Sequence, residues 1–210
     1  MISCQVYSLV FFTKNTFKLS LERNDIKFKS GQCFSLGIPS LGINREYSIY
    51  SGETDSSLEF LIRIVDGGII SNALSKLQVG DLVEINGPFG DFTIKEKNLH
   101  KTHLFVASGT GIAPFRSFVR SFPELNYKIL HGVRFENELY DKDNYDDHIA
   151  CISQPEDSKK GLRVTDQLNK FDIEFDVIYI CGNQHVIYDA QEIIYNKYSQ
   201  TPLIYTESFF

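Results

Sequence analysis

The hydrophobic rhythm of this chain changes once, near Lys101, and that change limits the fold more than any other feature of its 210 residues. Before it, apolar and polar positions alternate and break at turn residues, the pattern of short antiparallel strands with one face buried. The strands predicted are Gln5–Thr13, Phe17–Glu22, Gln32–Ile38, Tyr47–Ser51, Leu58–Val65 and Leu82–Asn86. One short helical stretch, "SNALSKL", follows Gly67-Gly68. Six short strands with a single helix predict a small closed barrel. After the change, "HLFVAS", "YKILHGV" and "DVIYICG" are continuously apolar, and "GTGIAPFRSFVRSF" and "HVIYDAQEIIYNKY" read as helices between strands, with "LIYTES" closing the chain. Such strands alternating with helices predict a parallel sheet covered on both faces. The polar "KEKNLHK" marks the boundary and predicts domains at 1–98 and 99–210.

Charge and cysteine usage narrow the function classes. The net charge of -6 argues against nucleic acid as a partner. Up to Lys101 there are 11 Lys+Arg against 11 Asp+Glu, and beyond it 10 against 16. Lys14, Lys18, Arg23, Lys27 and Lys29 face only Glu22 and Asp25, which is either a solvated strand face or a docking patch for an acidic partner. Cys4, Cys33, Cys151 and Cys181 show no C-x-x-C spacing, so free thiols in a reducing compartment are expected rather than a metal or iron–sulfur site. The N-terminus lacks a basic n-region and reads as a first strand, and no run of 18 apolar residues is present, so a cytoplasmic protein without membrane association is expected. His100, His103, His131, His148 and His185 make no H-E-x-x-H pattern, and His100-x-x-His103 is expected on a loop surface.

Three stretches carry chemistry. In "SGTGIAPF", Gly109 and Gly111 let the backbone turn sharply and approach a ligand, and Pro114 suits the first turn of the following helix. The stretch is either a phosphate-binding turn or a plain strand–helix connection; it is not the G-x-G-x-x-G fingerprint. In "DGGIISNALSKL", Gly67-Gly68 and Ser71 open the short helix as an anion site or an ordinary serine cap. In "NREYSIYSGE", Arg45 can clamp a diphosphate, Tyr47 can stack on a ring and Ser48 can donate to a ring nitrogen; the plain alternative is a strand with a surface Arg and a half-buried Tyr. Alternation sends Arg45 and Tyr47 to one face and Ser48 to the other.

These pieces, in order, resemble the ferredoxin–NADP reductase family, closest to its bacterial ferredoxin/flavodoxin reductases, which have no attached iron–sulfur domain. Arg45-Glu46-Tyr47-Ser48 matches R-x-Y-S/T; Gly67-Gly68 to Ser71 matches G-G-x-x-S; "GPFGDF", "ASGTGIAPF", "YICGN" and "YTESFF" follow in family order. The resemblance implies a six-strand Greek-key FAD-binding barrel followed by an α/β parallel-sheet NAD(P)-binding domain. It implies a flavoenzyme of the ferredoxin/flavodoxin–NADP(+) reductase type, a monomer moving electrons between NADPH and a ferredoxin or flavodoxin by hydride transfer to flavin N5. For FAD it implies Arg45, Tyr47, Ser48, Arg63, Val65, Gly68, Ser71, Asn72, Thr110, Phe209 and Phe210. For NAD(P) it implies Gly109, Thr110, Gly111, Arg134, Ser153, Arg163, Cys181 and Gly182. Ser48, Cys181 and Glu207 fall nearest the hydride. No nucleophile–base pair is required, since the protein's part is orientation and exclusion of water.

The match departs from the family pattern in places. Gln154 follows Ser153 where relatives using NADP often have Arg, with Lys159, Lys160 and Arg163 close in sequence, so NADPH is expected with NADH open. "GNQHVIYDA" lacks the proline and methionine that usually follow Cys-Gly, the chain is short for the family, and Tyr50 is expected to face solvent or an adenine ring. The competing readings are a reductase component feeding an oxygenase, a reductase of free flavin, an electron-transfer subunit of a larger complex, and a flavin-binding regulatory module.

Overall fold

The computed structural model describes residues 2–156, 160–171, 175–197 and 202–209. By its contacts the chain forms two compact units, Met1–Thr93 with Ala113–Ser121, and Ile94–Ile112 with Phe122–Phe210.

The first unit is built on β1 (Ile2–Thr13), β2 (Thr16–Glu22), β3 (Cys33–Gly37), β4 (Asn44–Ser48), β5 (Ser57–Arg63) and β6 (Leu82–Phe89). Their order is β4-β3-β6-β1-β2-β5, and the Ile49↔Phe60 bridge joins the two edge strands. The sheet therefore closes on itself, and β6 returning beside β3 after the run β3-β4-β5 is a Greek key. The core holds Cys4, Val6, Phe17, Leu19, Leu21, Phe34, Leu36, Phe60, Ile62, Val83 and Ile85. Each such Leu or Phe contributes about 1.5–3 kcal/mol by burial. A register shift between Val6 and Ser8 explains why β1 buries Cys4 and Val6 and then switches parity to the half-buried Leu9, which pairs with Leu19, while Phe11, paired with Phe17, stays exposed.

β4 starts and ends three residues earlier than its alternation suggests. Asn44–Ser48 pairs with β3; Ile49 still donates its N–H to the Gln32 carbonyl at 2.9 Å while bridging Phe60, and Tyr50 turns to β5, its N–H donating to the Glu59 carbonyl at 2.8 Å. Tyr50 faces neither solvent nor a ligand: it is 0 % exposed. Its ring lies 4.2 Å under the Arg116 guanidinium, and Arg116 Nη1 donates to the Tyr50 carbonyl and to Glu59 Oε2, both at 2.8 Å. Arg116 belongs to α2 (Ala113–Ser121), the helix after the second glycine turn. Ser117 Oγ donates to the Ser51 carbonyl, Arg120 meets Asp55 through two bonds of 2.7 Å, and Ser121 Oγ accepts from Glu53 N–H. The segment after β4 is thus an anchor for α2, which is why this helix belongs with the barrel. Between β5 and β6 lies α1 (Ile69–Leu74).

The second unit is a parallel sheet of β7 (His103–Ser108), β8 (Tyr127–Val133), β9 (His148–Ile152), β10 (Val177–Asn183) and β11 (Leu203–Phe209), in the order β11-β10-β7-β8-β9. β9 was not expected from the sequence. It is a five-residue edge strand with only Cys151 fully buried, so its hydrophobic signal is weak. α3 (Val164–Lys170) and α4 (Gln184–Lys197) pack on the face carrying Leu104, Val106, Leu130, Ile178 and Ile180. The other face carries an aromatic row: Tyr205 stacks on Tyr179 at 4.8 Å, and Phe105 on Tyr127 at 5.8 Å. His103 joins that row, wholly buried and 6.3 Å from Tyr179, and not on a loop surface; burial pulls its pKa down. No helix among the described residues is long and apolar enough to cross a membrane.

Candidate functional site

In the barrel, register places Tyr47 opposite Phe34 and Arg45 opposite Leu36, so these two side chains share a face; Ser48, opposite Cys33, takes the other. Running back from the Ile49↔Phe60 bridge, β4 is antiparallel to β5, which brings Arg45 and Tyr47 to the end of the barrel where β5 finishes in Arg63 and leads to Val65. Arg45, Arg63 and Val65 are exposed there, Tyr47 is half-buried, and Ser48 is 5 % exposed. Burial pushes the Tyr47 hydroxyl up to about 12, against the pull of Arg45, so it stays a neutral donor.

The turn into α1 sits at the same strand end. Gly67 has φ +70° and open space where a Cβ would stand. The cap position of α1 is Gly68, not Ser71. Ser71 Oγ instead accepts from Val65 N–H at 3.0 Å, and Asn72 Nδ2 donates to the carbonyls of Val65 and Gly68 at 2.9 and 2.5 Å. Ser71 and Asn72 therefore fix the turn, leaving the first N–H groups of α1 without acceptors in their own helix. Cation, aromatic face, hydroxyl and backbone N–H groups at one barrel end suit a diphosphate attached to a flat ring.

Two of the five clustered cations are used inside this unit. Arg23 donates to the carbonyls of Ile26, Asp55 and Glu53 and lies 4.9 Å from the Phe28 ring. Lys18 lies 3.7 Å from Glu59. Lys14, Lys27 and Lys29 remain exposed.

In the parallel sheet the chain leaves β7 for β8 on one side and returns as β10 on the other, so the strand order reverses between β7 and β10. A crevice beyond the carboxyl ends of strands at such a point is where open α/β sheets bind ligands. Ser108, Gly109, Thr110 and Gly111 emerge there from β7, Cys181 and Gly182 end β10, and Glu207, Ser208 and Phe209 register with Cys181, Gly182 and Asn183 on β11. The glycines are required by space. A Cβ on Gly111 would strike the Cys181 carbonyl, and one on Gly182 would strike Ser108 Oγ. Ser108 Oγ accepts from Asn183 N–H at 2.8 Å, and Asn183 Oδ1 accepts from His185 N–H at 3.0 Å, capping α4. Cys181 is 1 % exposed, and burial with the nearby Glu207 raises its pKa well above the usual thiol value, so it stands as a neutral thiol.

Arg134 and Ser153 meet at the ends of β8 and β9. Ser153 N–H donates to the Val133 carbonyl and Gln154 N–H to the Arg134 carbonyl, both at 2.9 Å. Gly161 packs against the Ser153 backbone, which brings Arg163 into the same group; Arg134, Gln154, Lys160 and Arg163 are exposed. Lys159 and Phe210 lie outside the described residues. Sequence reasoning assigned no role to His131, whose Nε2 lies 2.9 Å from the Gly109 carbonyl, or to Glu138, which accepts from Arg134 N–H at 2.8 Å. Neither belongs to a spaced motif, and only the folded sheet brings His131 to the loop.

Comparison with known proteins agrees with this arrangement. The oxidoreductase FAD-binding domain matches residues 11–94, and the oxidoreductase NAD-binding domain residues 105–192. The toluate 1,2-dioxygenase electron transfer component of Pseudomonas putida is 29% identical over 94% of this chain and 64% of its own length. The flavodoxin/ferredoxin–NADP reductase of Buchnera aphidicola is 32% identical over 66% of this chain and 60% of its own. The chain thus spans less than two thirds of these curated relatives. In fold, a crystal structure of a ferredoxin NADP+ reductase from Neisseria gonorrhoeae with bound FAD and NADP superposes with a TM-score of 0.86 at 21% identity, covering 100% of this chain and 98% of that one. The two domain matches in tandem, laid over a closed barrel and a parallel sheet with their glycine turns at the strand ends, make the chain a member of the ferredoxin–NADP reductase family, with its oxidoreductase FAD-binding and NAD-binding domains.

Proposed function

We propose that this protein takes a hydride from NADPH and passes the electrons to a separate one-electron carrier of the ferredoxin or flavodoxin kind. The observation that carries this reading is the barrel end, where Arg45 and Tyr47 share a face beside the α1 turn. FAD, when bound, accepts two electrons together and releases them singly. Arg45 clamps its diphosphate with the α1 turn of Gly68, Ser71 and Asn72, Tyr47 offers its ring, and Arg63 and Val65 line the site. β4 is an edge strand whose continuation, Ile49 and Tyr50, joins β5. Ser48, at the end of this strand and on the face opposite Tyr47, would supply the hydroxyl near flavin N5. Thr110 and Phe209 cover part of the flavin, and Phe210 is assigned the same part.

For the nucleotide, Gly109, Thr110, Gly111 and Gly182 give close backbone approach, the neutral Cys181 thiol and Glu207 edge the nicotinamide, and Arg134, Ser153 and Arg163 receive the 2′-phosphate. The grouping of Arg134 with Ser153 and Gly161 supports NADPH over NADH. Free thiols at Cys4, Cys33, Cys151 and Cys181 support a cytoplasmic location, and a monomer is the state assigned. Lys14, Lys27 and Lys29 are the cations left for an acidic carrier.

A second reading, a reductase component feeding an oxygenase, draws support from the Pseudomonas relative that aligns over 94% of the chain. Free-flavin reduction is its weaker form. The test is anaerobic rapid mixing of the FAD-loaded protein with NADPH and NADH in turn, followed by ferredoxin, flavodoxin or free FMN. Bleaching by NADPH and onward reduction of ferredoxin or flavodoxin are expected. A protein that takes up no FAD, or a flavin that neither nucleotide bleaches, would refute the reading; bleaching by NADH with reduction of FMN alone would move it to the second.

A further inference from the structure

His131 is a wholly buried titratable group with no part in the chemistry above. It lies in β8 with Nε2 2.9 Å from the carbonyl oxygen of Gly109. A carbonyl can only accept, so Nε2 carries the proton and Nδ1 the lone pair. Nδ1 has no hydrogen-bond partner among the described residues, and its ring neighbours are His148 at 5.6 Å and Tyr140 at 6.3 Å. Burial lowers the pKa to about 3, so the donor is a neutral imidazole at any working pH.

Gly109 sits at φ +55° with nothing within 4 Å of where a Cβ would stand. No side chain of its own restricts its flanking peptides, and glycine adopts several conformations at little cost. The other attachments of the loop lie on either side of it: Ser108 Oγ receives Asn183 N–H, and Gly111 packs on the Cys181 carbonyl. Gly109 opens the 3-10 turn Gly109–Ile112, and the 109–110 peptide is held from β8 as well. In a trans peptide the C=O and the following N–H point in opposite directions.

We propose that His131 is a positioning residue of the nucleotide loop: its Nε2–H draws the Gly109 carbonyl toward β8 and thereby turns the Thr110 N–H outward, as a donor to the bound nucleotide. The open side of Gly109 is where the ligand approaches. This rests on the reading that Ser108–Gly111 receives NAD(P).

The test uses the FAD-loaded protein with His131→Leu, His131→Asn and His131→Gln. A glutamine amide reaches the place of Nε2; an asparagine amide reaches only the place of Nδ1. NADP+ and NAD+ affinities are measured by calorimetry, alongside FAD content and melting temperature. Leu and Asn are expected to weaken the preferred nucleotide about tenfold, the loss of one neutral hydrogen bond, and Gln to restore affinity to within about threefold. FAD content stays at the wild-type level. An Asn variant that binds nucleotide like wild type, or a Gln variant as weak as Asn, overturns the latch. Should Leu fail to fold, the Asn–Gln pair decides; loss of the fold in all three makes His131 a core residue only and also overturns it. If the unaltered FAD-loaded protein binds neither nucleotide, the assignment of the loop fails first and the latch with it.

Discussion

The turn at Gly67-Gly68 and the turn at Gly109–Gly111 both follow a strand and open a helical turn, and each contains a glycine at positive φ with open space beside it. They are closed by different means. The first is tied by Ser71 and Asn72 to backbone four to seven residues away. The second is tied to His131, 22 residues on, and to Asn183, 75 residues from Ser108, with Gly111 packed on Cys181. A locally closed turn depends on its own short sequence. A turn closed by neighbouring strands depends on the sheet, so disturbing the sheet disturbs the ligand loop. Substitutions in the second turn should therefore cost more, and should reach the nucleotide before the flavin.

The largest expected effect is Gly111→Ala. The added Cβ falls on the Cys181 carbonyl, which is strand backbone and cannot swing aside. Overpacking of this kind costs about 3 kcal/mol or more. Thermal unfolding should show a fall of many degrees in the parallel-sheet unit, and NADP+ binding should be lost with FAD retained. A Gly111→Ala protein with unchanged melting and nucleotide affinity would erase the contrast between the two turns.

Acid should act on the second turn next. Burial lowers the pKa of His131 to about 3, and those of His103 and His148 shift the same way. An unfolded chain takes up a proton near pH 6.5 that the folded His131 refuses, so the fold gains full benefit above that pH and loses it as pH falls toward 3. At pH 5.5 His131 alone should cost on the order of 1 kcal/mol. Denaturation midpoints measured from pH 7.5 to 5.5 should fall, and the slope should flatten in His131→Gln. Equal slopes would mean that His131 is not the group titrating.

The same division between local and distant closure sets what is legible in the sequence. The alternation of β2, β5 and β6, the apolar runs of β7 and β10 and the glycine turns are local signals, and each appears close to where it was read. β9 was hidden because an edge strand with one buried residue has little pattern to show. The placement of β4 was three residues late because Ile49 and Tyr50 keep the apolar rhythm while serving β5 and α2. Tyr50 looked free to face a ligand because its partner, Arg116, is 66 residues away. His103 and His131 looked like spare histidines for the same reason: an aromatic row and a loop carbonyl exist only after five strands have paired. For the site, residue types and order were legible in the motifs, whereas the face taken by Ser48 and the internal use of Ser71, Asn72 and Arg23 were not.

Ser71→Ala should have a smaller effect, confined to the first turn. It removes the acceptor for Val65 N–H, which lies on an exposed residue and can turn to water, so the cost is about 1 kcal/mol. FAD should dissociate severalfold faster in dilution experiments, with NADP+ affinity of the loaded protein unchanged. A change in NADP+ affinity without a change in FAD release would reverse the assignment of the two turns.

The smallest effect should come from Gly67→Asn. At φ +70° an L side chain is disfavoured, but asparagine tolerates this region better than other residues, and no atom lies within 4 Å of the new Cβ. The cost should therefore be backbone strain alone, below about 1 kcal/mol. The melting temperature should fall by no more than a few degrees, with FAD stoichiometry intact. That outcome set beside Gly111→Ala separates the two demands made on glycine here: Gly67 answers a need for conformation, which asparagine can largely meet, while Gly111 answers a need for empty space against strand backbone, which no side chain can meet. Loss of FAD in Gly67→Asn would show instead that the open space beside Gly67 is taken by the cofactor, and that both turns require glycine for close approach.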